Sequence, residues 1–207
     1  MKPSKETEKR LREHCGADDQ AIEKLEIYAR MVAEWQAAIN LVAPSTLPQI
    51  WERHILDSAQ IYPLFGADKK LVDLGSGGGM PAIILAILGA QELTLIESDQ
   101  RKCIFLREVS RETGLSGITV INKRLEQVDG IKAPVITARA LAPLLQLVGW
   151  ARPFIEPQGR MIFLKGQDFQ NEINELTQDS EGGFLENIEL IQSITDEKAR
   201  IVVLHNS

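Results

Sequence analysis

The chain is short of the residues that build covalent or metal frameworks. Cys15 and Cys103 are the two cysteines among 207 residues, too few for a disulfide scaffold, and without an export signal both are expected as reduced thiols. Three histidines with no Cys/His cluster argue against a zinc site, so no metal is expected. Aromatic residues make up 5% of the chain, and none of them forms the base-stacking pattern of an RNA-recognition module. The longest apolar run, Met80 to Ala90, is too short to span a bilayer. The N-terminal MKPSKETEKRLREHC is charged where a signal peptide is apolar. A cytoplasmic protein with no membrane partner is the expectation. Repeats and low-complexity segments are absent.

One stretch combines many acids with no basic residue. Asp168 to Glu197 holds nine acids and no Lys or Arg, so residues 1–167 carry 20 acids and 21 bases although the whole chain is at −6. The acidity belongs to a C-terminal arm, read as solvated, and the remainder can still face a polyanion.

Apolar residues Ile22, Leu25, Ala29, Val32, Trp35 and Ile39 recur at helical spacing and predict a helix from Asp18 to Asn40, with Asp18 or Asp19 as N-cap. A second helix is expected over Pro48–Tyr62, after a loop APSTLP, and SKETEKRLREH precedes both. From Lys70 the pattern alternates: KLVDL, then Pro81–Leu88; ELTLIE, then Asp99–Thr113; GITVIN; PVITA, then Pro143–Phe154; RMIFLK, then Phe169–Leu176. Such alternation implies βαβ units and a mostly parallel sheet with helices on both faces. ENIELIQSI and ARIVVLH, separated by TDEK, suit a terminal antiparallel hairpin. The expected architecture is an α/β sheet of seven strands with a helical N-terminal region, 1–66, packed on a core, 67–207, as one structural unit.

Five of fifteen glycines lie within LVDLGSGGGMPAIILAILG, residues 71–89, four of them at 75, 77, 78 and 79. A strand-to-helix turn needs one or two. The surplus bares backbone N–H groups at the carboxyl end of a strand, where open α/β sheets bind ligands. Gly77-x-Gly79-x-x-Ala82, with Glu97 twenty residues after Gly77, fits a dinucleotide pattern. Asp73 opposes that fit, because a carboxylate beside the loop repels a diphosphate and suits a cation. S-adenosylmethionine carries an ammonium, a sulfonium and no phosphate, and Glu97 can accept from ribose hydroxyls under either reading.

With Asp73-x-Gly75-x-Gly77-x-Gly79 and Glu97 in place, the chain is similar to class I methyltransferases. NLVAPS (40–45), ERHILDS (52–58), VDLGSGGGMPAI (72–83), LIES with RKCIFL (95–106), TARALAPL (137–144) and FLKG (163–166) narrow the resemblance to the RsmG/GidB family of 16S rRNA guanine-N7 methyltransferases, from about residue 20 onward. The resemblance implies methylation of a guanine usually numbered 527, with S-adenosylmethionine as donor and 16S rRNA or the small ribosomal subunit as partner. It places Gly75, Met80, Leu125, Glu126 and Arg139 at the cofactor. Val42, Ala82 and Ile84 stand where the family often has Thr, Gly and Pro, and none of these changes removes a reactive group.

Guanine N7 is an unprotonated lone pair at neutral pH and requires no general base, so catalysis should be positioning and electrostatics. Arg139 and Lys165, at the ends of the fourth and fifth strands, are the catalytic candidates in that sense. Arg139 can present its fork to guanine O6 or to the cofactor carboxylate, or pair with Asp73 or Glu97. Its replacement by Ala is expected to remove activity with little loss of stability. Arg53, His54 and Asp57 share a helix face, either for an RNA phosphate or for docking that helix on the sheet; Arg200 completes the RNA candidates. The other readings are a different acceptor for the same donor, an NAD-binding oxidoreductase, and a non-catalytic ribosome-assembly factor. A monomer is expected.

Overall fold

The computed structural model describes residues 1–178 and 188–206. Helix α1 (Lys5–Cys15) starts at Ser4, whose side chain accepts from the Thr7 N–H, and α2 (Asp19–Trp35) starts at Asp18, which accepts from the Ala21 N–H. The expected continuation of α2 to Asn40 fails for a local reason. The Gln36 side chain accepts from the Leu41 and Val42 N–H groups and donates to the Val42 carbonyl, so the chain turns there. The expected regular helix 48–62 is also replaced. A 3-10 stretch, Pro44–Gln49, leads into a π-helical turn, Trp51–Leu56, then a single α-turn, α3 (Asp57–Ala59).

Strands β1 (Lys70–Leu74), β2 (Glu92–Glu97), β3 (Ile118–Asn122), β4 (Ala133–Arg139), β5 (Ile155–Lys165), β6 (Ile188–Gln192) and β7 (Arg200–His205) form one sheet in the order β3-β2-β1-β4-β5-β7-β6. The β1–β2, β1–β4, β2–β3 and β4–β5 pairings are parallel, while β7 runs antiparallel to both β5 and β6. Glu186 and Asn187 of the expected ENIELIQSI strand lie outside the described residues, as do Asp179 and Glu181 of the acidic arm. Helices α4 (Ala82–Leu88), α5 (Gln100–Glu112), α6 (Leu144–Ala151) and α7 (Phe169–Gln178) complete the fold. The expected helix 143–154 ends early, with Arg152–Phe154 as a 3-10 turn around Pro153, which cannot supply the helical N–H.

Successive strand residues point to opposite faces, and the core divides accordingly. Ile162, Leu164, Ile201 and Val203 pack with α1, α2, α4 and α5, whereas Met161, Phe163, Val202 and Leu204 pack with α6 and α7. The N-terminal helices therefore cover one face of the sheet. The carboxyl ends of β1, β2, β4 and β5 open on one edge, and the polar residues gather there.

Candidate functional site

The loop after β1 is held from three sides. Gly75, Gly77 and Gly79 have φ of 62°, 55° and 85°. At Gly75 a Cβ would stand 2.5 Å from Leu141 Cδ1, and at Gly79 it would stand 2.5 Å from Ile83 Cγ1. At either position a side chain would have to displace its neighbour and hold a left-handed backbone that favours glycine. The Gly77 N–H donates to Glu97 Oε2 at 2.8 Å, and the Asp99 N–H donates to Glu97 Oε1 at 2.8 Å. Asp73 lies wholly buried behind the loop. Its Oδ1 accepts from Thr137 Oγ1 at 2.6 Å while Oδ2 has no partner among the described residues. Burial pushes the Asp73 carboxyl up to about 7, against the opposing pull of the Thr137 hydrogen bond.

A cleft of about 410 Å³ opens over this loop. Gly75, Gly77, Gly78, Met80 and Glu97 line it together with Leu125 and Glu126, which sit on a 3-10 turn after β3. A second cleft, about 400 Å³, lies between Arg53, Asp57, Lys165, Asp168 and Arg200. Arg139 and Ala140 line both. Ala140 has φ of 50°, a left-handed conformation that a non-glycine residue adopts at a cost of about 1–3 kcal/mol. The strained residue stands at the partition between two cavities.

The π-helical turn supplies the clamp on that partition. Arg139 Nε donates to Asp57 Oδ2 at 2.9 Å, Nη2 to the Arg53 carbonyl at 2.7 Å, and Nη1 contacts His54 Nδ1 at 3.1 Å and Met80 Sδ at 3.7 Å. Guanidinium can only donate, so His54 Nδ1 accepts and Nε2 bears the proton, directed to Thr46 Oγ1 at 2.7 Å; Thr46 in turn donates to the Ala43 carbonyl. Burial, then the charges of Arg139 and Arg53, lower the His54 imidazole to about 4, so it is neutral at pH 7. Asp57 Oδ1 also accepts from Gln60 Nε2 at 2.9 Å and Thr195 Oγ1 at 2.8 Å. Gln60 Oε1 accepts from the Ile194 N–H, which ties α3 to the β6–β7 connection.

A family model described as rRNA small subunit methyltransferase G, GidB, matches residues 21–197. The chain belongs to the RsmG/GidB family. Ribosomal RNA small subunit methyltransferase G of Paramagnetospirillum magneticum is 52% identical over 160 residues, covering 76% of this chain and 77% of that protein. Its counterpart in Gluconobacter oxydans is 51% identical over 157 residues, with 76% and 81% covered. Among solved structures, magnesium protoporphyrin IX methyltransferase of Synechocystis with bound SAM aligns at a TM-score of 0.60 and 16% identity, over 92% of this chain and 98% of that one. That similarity concerns the fold, the class I methyltransferase sheet.

Of the residues that the sequence marks in this family member, the first cleft gathers Gly75, Gly77, Met80, Glu97, Leu125, Glu126 and Arg139, with Asp73 and Gly79 set behind its lining. The second cleft gathers Arg53, Asp57, Arg139, Lys165 and Arg200. His54 faces Arg139. Neither Asp73 nor Glu97 pairs with Arg139; Asp57 does. Arg53 lies 4.0 Å from Asp196 rather than beside Asp57. Lys165 is 9% exposed, with Nζ donating to the Ala142 carbonyl at 2.9 Å and paired with Glu172 at 2.6 Å. Glu172 also accepts from the Leu144 N–H, so this member of the acidic arm is a helix cap and an ion-pair partner instead of a solvated charge. Arg200 stacks its guanidinium 5.0 Å over the Phe169 ring.

Sequence reasoning missed Thr137, Ala140, Gln60, Thr195 and Glu172. Thr137, within the apolar PVITA, was the findable one, since a buried hydroxyl two positions before Arg139 needs a partner on the neighbouring strand. Gln60 reaches Asp57 from three positions away, but its bond to Ile194 and that of Thr195 to Asp57 join residues more than a hundred positions apart and leave no local pattern.

Proposed function

We propose that the chain transfers a methyl group from S-adenosylmethionine to N7 of a guanine in 16S rRNA, position 527 in the usual numbering, as a cytoplasmic monomer. The observation that carries this reading is the pair of clefts meeting at Arg139 and Ala140 on the carboxyl edge of the sheet. The first fits the donor. Gly78 lines it, and the Gly78 N–H has no partner among the described residues. Glu97, with each oxygen already accepting one N–H, retains lone pairs for the ribose hydroxyls. The buried, half-paired Asp73 carboxyl favours a nearby cation over a phosphate. When bound, the donor supplies an electrophilic methyl on a sulfonium. The second cleft, rimmed by Arg53, Lys165 and Arg200, fits the acceptor nucleotide.

The chain's own residues then position and shield. Arg139, fixed by Asp57, His54 and the Arg53 carbonyl, keeps one Nη2 hydrogen for O6 of the base or for a donor carboxylate. Lys165 and Glu172 hold the Ala142–Leu144 segment and so set the partition between the clefts. His54 and Asp57 serve by holding Arg139. Arg53, about half exposed, and Arg200 are the phosphate contacts. Under this reading no residue needs to take a proton, because the nucleophile has none to lose. Residues 1–66 act as one structural unit with 67–207, because their helices share a core cluster with the sheet.

The test is transfer of radiolabelled methyl from S-adenosylmethionine to small-subunit rRNA lacking the modification, as naked RNA and as the particle. Mapping of the product by chain cleavage at N7-methylguanine follows. Incorporation at one guanine is expected. No incorporation into either substrate, or methyl on another atom, overturns the reading.

A further inference from the structure

The N-terminal region reaches into the donor cleft. Tyr28 on α2 is fully buried, and its hydroxyl donates to the Gly78 carbonyl at 2.7 Å. Gly78 lies between two glycines of positive φ, in the stretch where the backbone has the most freedom and least preference of its own. Gly78 also packs on Leu41, since a Cβ there would stand 3.3 Å from the Leu41 carbonyl oxygen. Leu41 lines the same cleft and is held by the Gln36 side chain. Leu41 thus brings the N-terminal region into the cleft wall, and the Gly78–Gly79 peptide is held at both ends, by the Tyr28 hydroxyl at its carbonyl and by the Ser76 carbonyl, which accepts from the Gly79 N–H at 2.7 Å.

We propose that Tyr28 is a positioning residue for the methyl donor. Its hydroxyl commits the Gly78 carbonyl toward α2 and so helps set the torsions of Gly78, whose own N–H, on the preceding peptide, has no partner among the described residues. Without it, the Gly78–Gly79 peptide keeps only the turn bond to the Ser76 carbonyl, and the loop samples more orientations. The apparent donor dissociation constant then rises in inverse proportion to the competent fraction. The inference rests on the donor reading of this cleft.

The experiment compares full-length wild type, Tyr28→Phe and Tyr62→Phe, the last altering the only other tyrosine, which lines neither cleft. Calorimetric titration with S-adenosylhomocysteine is paired with KM for donor and for rRNA, and with melting temperature. For Tyr28→Phe, the loss of one buried hydrogen bond should raise the S-adenosylhomocysteine Kd and the donor KM about tenfold, with rRNA KM unchanged. Tyr62→Phe should match wild type. Unchanged donor affinity in a Tyr28→Phe protein that merely melts earlier overturns the proposal, as does an equal rise in both KM values. Should Tyr28→Phe fail to fold, Gln36→Ala loosens the same wall through Leu41. A raised S-adenosylhomocysteine Kd then supports the proposal, and an unchanged one overturns it. Wild type that fails to bind S-adenosylhomocysteine removes the donor reading itself, an outcome distinct from the failure of Tyr28 alone.

Discussion

The Arg139–Asp57 pair provides the sharpest test of how the site is held. Both side chains are 17% exposed and 2.9 Å apart. That places the pair between surface ion pairs, worth at most about 1 kcal/mol, and buried ones, where removing one partner costs about 3–5 kcal/mol. We take about 2 kcal/mol for the charge pair. Asp57→Ala also removes acceptors for Gln60 and Thr195, about 1 kcal/mol each, for a total near 4 kcal/mol. In a domain of this size about 2–4 °C is lost per kcal/mol, so the melting temperature should fall by roughly 10 °C. Arg139→Ala leaves Asp57 with its other two donors and should cost about 2–3 kcal/mol, more than its sequence position suggests. The double variant should be less damaged than the sum of the two by about 2 kcal/mol, the coupling that a cycle isolates. Urea unfolding followed by circular dichroism, run on the four proteins, measures it. Additivity within about 0.5 kcal/mol, or a drop in melting temperature below about 2 °C for Asp57→Ala, would refute the account.

Two buried groups titrate in opposition. His54 at about 4 in the fold, against 6.5 ordinarily, contributes stability that is full above pH 6.5 and lost as pH falls toward 4. Asp73, at about 7 against 3.8, contributes stability that is full below pH 3.8 and lost as pH rises through 7. The effects offset in wild type, so Asp73→Asn should lose more stability than wild type between pH 6.5 and 4.5; parallel urea midpoints at the two pH values would contradict this. Glu97→Gln turns an amide toward one of two N–H groups and should weaken S-adenosylhomocysteine binding by about ten- to a hundredfold in calorimetry; a Kd within about twofold of wild type counts against the assignment.

The parts of the fold that were legible in the sequence are those dictated by local chemistry. Asp18, one of the two caps expected for α2, is the N-cap because its carboxylate reaches an N–H three residues on. KLVDL and ELTLIE match β1 and β2 residue for residue, being apolar runs bounded by polar or glycine residues. The glycine loop declared itself because four glycines exceed what a turn requires. The π-helical turn at Trp51–Leu56 did not, since the apolar positions of WERHILDS satisfy ordinary helical spacing equally well. That extra winding decides where Arg53, His54 and Asp57 face, and a sequence period cannot supply it. Lys165 read as a free cation at a strand end because Glu172, its neutraliser, comes from a different element. Partnerships across elements are set by tertiary packing, and most of the candidate site consists of them.

Strand β7 sits between β5 and β6, with Ile201, Val202, Val203 and Leu204 all buried. Since among the described residues β6 bonds to β7 alone, a truncation before residue 200 deprives two strands of their neighbour at once. It would leave the long β5 with a bare, aggregation-prone margin. During synthesis the same geometry makes β6 wait for a segment translated after it. A chain that stopped near residue 195 would carry a sheet that ends at β5, with β6 left unpaired beside it.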